Sequence, residues 1–370
     1  MSGLYIHIPF CAKKCAYCDF YSFHPTDAQM DAYCDAVTAA FLRYAGTPDT
    51  DFDTVYFGGG TPSFFGAKRL TAMLDAARDA FTITGDAEIT VECNPSSVTE
   101  NEMQALAAAG VNRISMGVQS AVDGERRWLG RSSSRKQVEA AINTCRKASL
   151  TNLSLDLMLG IPAQTMASLD ESLDFITGLG VPHVSAYLLK LEDGTPLAAQ
   201  KETLPLPDED SVCDCYLHTV ETLRRHGLMQ YEVSNFARPG FESRHNLHYW
   251  RDEAYLGIGP AAHSFLGGKR FYYPRDFEAF LRGDAPVPDG DGGSEAEFVM
   301  LRLRLAEGLS DGDFFARYRK HLPNALFDAA NTLERHGLVT VQNDTVALTP
   351  QGFLLSNRVI DALLSHISSQ

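Results

Sequence analysis

Three cysteines near the start of the chain, Cys11, Cys15 and Cys18, have the spacing C-x3-C-x2-C. A loop of this length can bring three thiolates to one metal centre. A zinc ion would normally need a fourth Cys or His, and His7 and His24 are the nearest candidates in the sequence. A 4Fe-4S cluster bound by three thiolates instead leaves one iron with an open coordination position, where a small amino-carboxylate can chelate. The spacing alone leaves both centres open.

The composition excludes several classes of protein. The chain has 370 residues, and 32 Lys and Arg against 47 Asp and Glu give a net charge of -15, which argues against a nucleic-acid-binding protein. No apolar run approaches the roughly 20 residues of a membrane span, and the chain starts on the strand-like LYIHI instead of a signal sequence. We therefore expect a cytoplasmic protein without a transmembrane segment, and peripheral contact with a membrane stays open.

Short β-rich runs alternate with amphipathic helical windows from residue 4 to about 230, which is typical of βα units around a parallel sheet. Six units are fewer than the eight of a closed barrel, so the pattern predicts an α/β fold with a partial, open (β/α)6 barrel. The six predicted strands are Leu4 to Ile8, Thr54 to Phe57, Ile89 to Glu92, Arg113 to Gly117, Leu153 to Leu159 and His183 to Leu189.

Polar or glycine-rich residues follow nearly every predicted strand. In parallel α/β sheets and barrels the loops at the carboxyl ends of the strands form the ligand-binding rim. We therefore expect one site built from several strand ends. Its candidate segments are Gly58 to Pro62, Glu92 to Pro95, Gln119-Ser120 and Asp156.

The sequence predicts three domains. The barrel covers residues 1-230, and an irregular α/β extension with the motif HNLHYW covers 231-290. After a Gly/Asp-rich break, three helices, a hairpin turning at Asn343-Asp344 and a closing helix predict a winged-helix-like domain at 295-370. Its helices lack a dense cluster of Lys and Arg, so we expect a packing or partner-docking domain.

The cysteine motif, with Tyr17 before its last cysteine, resembles the cluster motif of the radical S-adenosylmethionine (radical SAM) superfamily. The resemblance implies that the open iron binds the amino and carboxylate groups of SAM and that the reduced cluster cleaves its sulfonium. The segment Gly58 to Pro62 is similar to the glycine-rich rim motif of the superfamily, where backbone groups approach the methionyl amine.

Further motifs resemble one subfamily, that of oxygen-independent coproporphyrinogen III oxidase and its relatives. They are YIHIPFC, FGGGTPS, ECNP, RISMGVQS, LGR and LDLMLGIP, in the expected order. The resemblance implies that the cysteines bind the cluster and that SAM contacts fall on Tyr5, Gly59, Gly60, Thr61, Glu92, Gln119, Arg131 and Asp156.

Three features distinguish between members of this subfamily. The oxidases have a further cysteine two residues after the third cluster ligand, where this sequence has Phe20, and they have an N-terminal extension before the first strand. The segment Cys18-Asp19-Phe20, the short start and HNLHYW at His245 to Trp250 instead resemble the HemW heme chaperones. This resemblance implies heme binding, with His245 as the first choice of iron ligand and with His248 and the cysteines near the cluster as alternatives.

The resemblance therefore implies a heme chaperone of the radical SAM type, with a 4Fe-4S cluster, SAM and heme as cofactors. Its expected partners are heme-requiring respiratory apoproteins, and a heme donor protein is a further option. The alternative is a radical SAM oxidoreductase that acts on a porphyrinogen, such as an oxygen-independent coproporphyrinogen III oxidase.

Overall fold

The structure, a computed structural model, describes residues 1–367, so the last three residues of the predicted 295-370 domain lie outside the described residues. All six predicted barrel strands are present, with ends shifted by a few residues, mostly outward. They are β1 (Ser2–Ile8), β2 (Asp51–Gly59), β3 (Thr82–Cys93), β4 (Arg113–Gln119), β5 (Asn152–Leu159) and β6 (His183–Leu188).

Helices follow these strands, and Thr, Ser or Asp side chains cap the first turns of most of the longer ones. The helices of the barrel region are α1 (Asp27–Tyr44), α2 (Pro62–Phe65), α3 (Ala67–Ala80), α4 (Glu100–Ala108), α5 (Asp123–Trp128), α6 (Arg135–Lys147), α7 (Met166–Gly178) and α8 (Glu209–Arg225). Two short 3-10 helices lie at Pro95–Ser97 and Ala198–Thr203.

The segment after α8 extends the main sheet at both edges. Its elements are β7 (Met229–Gln230), β8 (Asn235–Ala237), α9 (Arg244–Trp250), β9 (Tyr255–Ile258), β10 (His263–Leu266), β11 (Lys269–Tyr272), α10 (Phe277–Leu281) and β12 (Val287–Asp291). The twelve strands form one open sheet in the order β12-β11-β10-β9-β1-β2-β3-β4-β5-β6-β8-β7. The six central strands are parallel in chain order, which confirms the open α/β architecture.

Each central strand buries an apolar face against the helices and a largely polar face inside the barrel. On β1, Leu4 and Ile6 belong to the core under the helices, whereas Tyr5 and His7 point to the other face. Residues that pair across a parallel sheet point to the same side, so Tyr5 meets Tyr56, and Glu92 meets Ser115. This alternation places polar side chains from all six strands in a buried interior.

The C-terminal region contains α11 (Glu295–Arg302), β13 (Leu309–Ser310), α12 (Asp311–Tyr318), α13 (Asn324–Arg335), β14 (Val339–Gln342), β15 (Thr345–Leu348), α14 (Pro350–Leu354) and α15 (Ser356–Leu364). Its three strands pair antiparallel in the order β13-β15-β14, which with the preceding helices is a winged-helix arrangement. The predicted turn residues Asn343 and Asp344 both have positive φ, as a two-residue hairpin turn requires.

A buried carboxylate connects this region to the rest of the chain. Asp252, just after α9, has a fully buried side chain, and it forms ion pairs with Arg317 of α12 at 2.6 Å and Arg270 of β11 at 3.4 Å. Glu297 of α11 also pairs with Arg270. The network therefore joins α9, the sheet edge and two helices of the C-terminal region.

No helix within residues 1–367 has the length and apolar character that crossing a membrane requires.

We predict that Asp252→Asn lowers the free energy of unfolding by about 2–3 kcal/mol, because it leaves two partly buried guanidinium groups without their shared carboxylate. Urea unfolding measures this loss. Asp49→Asn, at an exposed position with no ion pair among the described residues, is the control and should change stability by less than about 0.5 kcal/mol. Equal losses in both variants would contradict a special role for Asp252.

Candidate functional site at the carboxyl ends of the strands

The cysteine loop follows β1 and is held by its neighbours on both sides. The amide of Cys11 donates to the carbonyl of Phe23 at 2.9 Å, and the amide of Thr61 donates to the carbonyl of Phe10 at 2.8 Å. The Sγ atom of Cys11 lies 3.3 Å from Oγ1 of Thr61. These bonds fix the loop against the glycine-rich turn after β2, so two of the predicted motifs form one surface.

The three thiols are free and lie within electrostatic range of one another. Burial raises the pKa of Cys18, and the neighbouring Cys15 and Cys11 thiols raise it further. Within residues 1–367, no three His, Cys, Asp or Glu side chains converge as closely as ligands of a single metal ion do. Three free thiols on one short loop are a donor set that could hold an iron-sulfur cluster. His7, which a zinc site could use, has both ring nitrogens hydrogen-bonded.

Two glycines of the GGGTP turn are required by close packing. Gly59 has a φ of 109°, and a Cβ there would lie 2.4 Å from the ring of His7. A Cβ on Gly60 would lie 2.6 Å from the carbonyl oxygen of Phe10. Neither position can accept a side chain without moving β1 or the cysteine loop. The glycines therefore bring the β2 turn into contact with the loop that carries Cys11.

Glu92 lies at the end of β3 and binds the same turn. Its carboxylate accepts hydrogen bonds from the amide of Gly59 at 3.1 Å and from the hydroxyl of Tyr56 at 2.8 Å. Burial raises the pKa of Glu92 to about 7, and the nearby Asp156 carboxylate acts in the same direction, against the hydrogen bond from Tyr56. A carboxyl group with a raised pKa beside a glycine turn is typical of a ligand-binding site.

Asp156 and Arg131 provide opposite charges on the far side of the rim. Burial raises the pKa of Asp156, while Arg131 lowers it by its positive charge, and Ser115 donates to this carboxylate at 3.4 Å. The Nη2 atom of Arg131 donates to the hydroxyl of Tyr17 at 3.1 Å. Its buried Nε atom has no hydrogen-bond partner among the described residues. A guanidinium with a spare donor is suited to a carboxylate or a ribose hydroxyl.

Gln119 completes this side of the rim. Its φ is 69°, at an irregularity in the pairing of β4 with β5, and its Oε1 accepts a hydrogen bond from Tyr187 at 2.8 Å. The missing side chain of Gly117 makes room for both Arg131 and Gln119, since a Cβ there would lie 2.8 Å and 2.9 Å from them. The predicted polar residues of β4, β5 and the following loops therefore converge.

Tyr5 lies one layer deeper in the barrel. Its hydroxyl is 3.0 Å from Nδ1 of His7, whose Nε2 is 2.9 Å from the carbonyl oxygen of Tyr21, just beyond the cysteines. Burial lowers the pKa of His7 to about 4. Tyr5 thus supports the cysteine loop through His7, a residue that sequence reasoning considered only as a zinc ligand.

His245 lies at the opposite end of the barrel, beside the first residues of the strands. Its Nδ1 is 2.7 Å from Oγ1 of Thr54 and its Nε2 is 2.7 Å from the hydroxyl of Tyr249, and the residue is 1% exposed. Burial lowers the pKa of this imidazole to about 3. Iron binding by His245 stays a prediction, and it would require one ring nitrogen to give up its hydrogen-bond partner.

His248, the second histidine of the motif, is instead held between two carboxylates. Its Nε2 is 2.8 Å from Asp53 and its Nδ1 is 2.5 Å from Glu253. Burial lowers the pKa of His248, but the two carboxylates outweigh burial and raise it to about 9. A positively charged His248 therefore clamps α9 to the start of β2.

Sequence reasoning missed several residues of the buried interior, chiefly His7, Thr54, Tyr56 and Tyr187. The signal that could have found them is the period of two along each strand. On β2, the inward positions are Thr54, Tyr56 and Gly58, and the alternate positions include the buried Val55 and Phe57. The strand predictions included most of these positions, but the polar alternation within them was not read as an interior surface.

Known proteins provide an independent comparison. The sequence model described as "Radical SAM superfamily" matches residues 5–176, and that described as "HemN C-terminal domain" matches residues 296–355. The chain is 33% identical to the protein "Heme chaperone HemW" of Bacillus subtilis, over 99% of this chain and 100% of that protein. It is 35% identical to the protein of the same name from Mycobacterium tuberculosis, over 98% of this chain and 94% of that protein.

The chain belongs to the HemW family of the radical SAM superfamily. Among solved structures, coproporphyrinogen III oxidase (HemN) from Escherichia coli matches with a TM-score of 0.84, over 99% of this chain and 90% of that chain. The sequence identity is 23%, so this match shows that the chain shares the fold of that enzyme. The family prediction made from the cysteine and HNLHYW motifs is confirmed.

We predict that Gly60→Ala lowers the free energy of unfolding by about 1–3 kcal/mol and reduces the iron bound after reconstitution, because a Cβ would push the β2 turn away from Phe10. Urea unfolding and iron analysis measure the two effects. Gly85→Ala, where nothing lies within 4 Å of the added Cβ, is the matched control. Full iron content in Gly60→Ala would contradict the packing role.

We predict that His248 makes stability depend on pH. Its pKa is raised from 6.5 to about 9 in the folded protein, so its contribution is fully present below pH 6.5 and is lost as the pH rises through 9. The shift corresponds to about 3 kcal/mol at most. The free energy of unfolding of the parent protein should fall between pH 6.5 and 9.5, relative to that of His248→Gln.

The control is His226→Gln, at an exposed histidine just after α8. It should keep the pH profile of the parent. A flat difference between the parent and His248→Gln across this range would show that the two carboxylates do not hold a charged imidazole.

Proposed function

We propose that the chain is a heme chaperone of the radical SAM type. It binds a 4Fe-4S cluster through Cys11, Cys15 and Cys18, binds SAM at the rim, binds heme in or beside the open barrel, and delivers heme to heme-requiring respiratory apoproteins. The full-length similarity to proteins named heme chaperone carries the functional assignment. The side chains at the rim around the cysteine loop support the assignment of the cofactors.

The side chains at the rim match the chemistry of SAM. SAM has a cationic sulfonium and amine, a carboxylate and two ribose hydroxyls. Glu92 offers an acceptor beside the turn of Gly59, Gly60 and Thr61, and Arg131 offers a donor whose Nε atom has no partner among the described residues. The remaining predicted contacts are Tyr5, Gln119 and Asp156. When bound, the cluster would supply the electron that reductive cleavage of the sulfonium needs.

Exposed apolar side chains at the same rim support heme binding near the barrel mouth. Phe20, two residues after Cys18, is 65% exposed, and Trp128 and Leu188 are 37% and 41% exposed at the carboxyl ends of α5 and β6. Large apolar faces of this kind suit a porphyrin ring. Phe20 also occupies the position at which the oxidases have a cysteine.

The cluster is tested by anaerobic reconstitution. We predict about four irons with matching acid-labile sulfide per chain, and a loss of most of this iron in Cys18→Ser. Cys34→Ser, at a half-buried thiol of α1, is the control and should keep the full iron content. One zinc and no sulfide in the parent protein would overturn the cluster assignment.

Heme binding is tested by titration with hemin. We predict a shifted Soret band in the parent protein and about fivefold weaker binding in Phe20→Ser, since the change removes a large apolar contact at the rim. Leu42→Ser, at a position of α1 that is 67% exposed, should bind heme like the parent. Formation of protoporphyrinogen IX from coproporphyrinogen III by the reduced protein with SAM would instead support the oxidase alternative.

A further inference from the structure

We propose that His245 and Tyr249 of the HNLHYW helix are positioning residues that hold Tyr56 in the barrel interior and, through it, Glu92 and Gly59 at the rim. The consequence for SAM rests on the proposed function, because Glu92 and Gly59 belong to the proposed SAM site. The coupling itself is a property of the chain without any cofactor.

A continuous series of contacts connects the two ends of the barrel. The Tyr249 hydroxyl lies 2.7 Å from Nε2 of His245, and the His245 ring stacks on Tyr56 with 5.1 Å between ring centroids and an interplanar angle of 27°. The Tyr56 hydroxyl donates to Glu92 at 2.8 Å, and Glu92 accepts the amide of Gly59 at 3.1 Å. Every residue from Tyr249 to Gly59 thus touches the next one.

The His245 ring has one arrangement that satisfies both of its nitrogens. Oγ1 of Thr54 on β2 lies 2.7 Å from Nδ1, so a rotation of the ring would break this bond and the bond to Tyr249 together. The residue is 1% exposed, so no water replaces the lost partners. The His245 ring is therefore held in one orientation, and Tyr56 packs against it.

The helix that carries this ring is itself anchored to the strands. The backbone amides of Arg244 and His245 donate to the carboxylate of Glu88 on β3 at 3.2 Å and 3.1 Å. Asp53 on β2 pairs with Arg244 at 3.0 Å and with His248 at 2.8 Å. Movement of α9 is thereby restrained at its first turn and at its middle.

The last residue of the motif connects α9 to the C-terminal region. The guanidinium of Arg304 lies 5.9 Å from the ring centroid of Trp250, and Arg251 pairs with Glu307 at 3.2 Å. The motif thus has contacts in two directions, with His245 and Tyr249 inside the barrel and Trp250 outside it. A shared positioning role accounts for the aromatic residues better than iron binding, which would use one nitrogen of one ring.

Another buried histidine of the barrel provides a matched control. His183 on β6 lies with Nδ1 2.7 Å from the Ser154 hydroxyl and with Nε2 2.9 Å from the Tyr231 hydroxyl, and it is fully buried. Its surroundings therefore match those of His245, with one strand hydroxyl and one tyrosine. No hydrogen bond or ring contact described for residues 1–367 joins His183 directly to Tyr56 or Glu92, and its partner Tyr231 reaches α9 through the backbone, where its hydroxyl accepts the amide of Ser243 at 3.1 Å.

The first experiment uses the protein without cofactors. We expect amide hydrogen exchange of a peptide containing Gly59 and Gly60 to become about tenfold faster in His245→Ala and in Tyr56→Phe, because the Glu92 carboxylate loses its support. In His183→Ala the exchange of this peptide should keep the parent rate. Tyr249→Phe removes one hydroxyl only, and a severalfold faster exchange in this variant decides the question if His245→Ala does not fold.

The second experiment measures SAM binding to the reconstituted protein by equilibrium dialysis. We expect about tenfold weaker binding in His245→Ala and in Glu92→Gln, and less than the product of the two effects in the double variant, because both act on one chain of contacts. His183→Ala should bind SAM like the parent. If the parent protein binds no SAM, the proposed function fails, whereas the exchange experiment still tests the coupling.

Heme spectra separate positioning from iron binding. A positioning residue leaves the Soret maximum of bound heme unchanged in His245→Ala, whereas loss of an axial imidazole would shift it. Unchanged exchange of the Gly59 peptide in both His245→Ala and Tyr249→Phe would overturn the inference. Equal acceleration in His183→Ala would also overturn it, since general destabilisation would then explain the effect.

Discussion

The structure depends on pairing the polar side chains that the central strands turn into the barrel interior. A buried polar group without a partner costs about 1–3 kcal/mol, so an interior with Glu92, Asp156, His245 and His183 is stable only if neighbouring strands supply donors and acceptors. Neighbouring strands supply them, since Tyr56 of β2 donates to Glu92 of β3 at 2.8 Å and Ser115 of β4 donates to Asp156 of β5 at 3.4 Å. The interior is therefore specified by pairs across strands.

This constraint explains the position of the candidate site. At the carboxyl ends of the strands the pairing between side chains stops, and the last inward side chains take partners from the backbone of the strand ends and from the loops. Glu92 takes the amide of Gly59, and Arg131 reaches back from the loop beyond α5 to Tyr17 in the cysteine loop. The Nε atom of Arg131 has no partner within the described residues, which marks this rim as the place where a ligand can complete the network. The paired interior below it supplies a rigid base.

Sequence patterns predicted the regular parts of this fold well. Strands β1 to β6 and helix α1 follow from apolar periodicity and caps, and the turn at Asn343-Asp344 follows from residues that tolerate positive φ. The short strands β7 to β12 did not follow, because runs of two to five residues with Gly and Pro carry little periodicity. Their strand character comes from pairing with the edges of the sheet, which is a tertiary effect.

The predicted site residues show a similar division. Glu92 and Gln119 were found at strand ends, where local sequence and position in the fold agree, whereas Arg131, in the loop after α5, was found through its motif and Asp156 lies in the middle of β5. The location of HNLHYW could not be read in this way, since α9 packs against the first residues of β1 and β2 through contacts such as that between His245 and Thr54, 191 residues apart.

A motif that resembles a heme-handling signature thus lies below the barrel interior instead of at its mouth. Its histidines differ in charge for a physical reason: burial lowers the pKa of His245 and keeps it neutral, whereas at His248 the two neighbouring carboxylates outweigh burial, raise the pKa and keep the ring protonated. The motif therefore combines a neutral histidine, His245, inside the barrel with a charged histidine, His248, that pairs with carboxylates outside it. The rim and the motif lie at the two ends of one hydrogen-bonded interior. A family of proteins whose function depends on the rim would therefore also depend on the motif, without any contact between heme iron and His245.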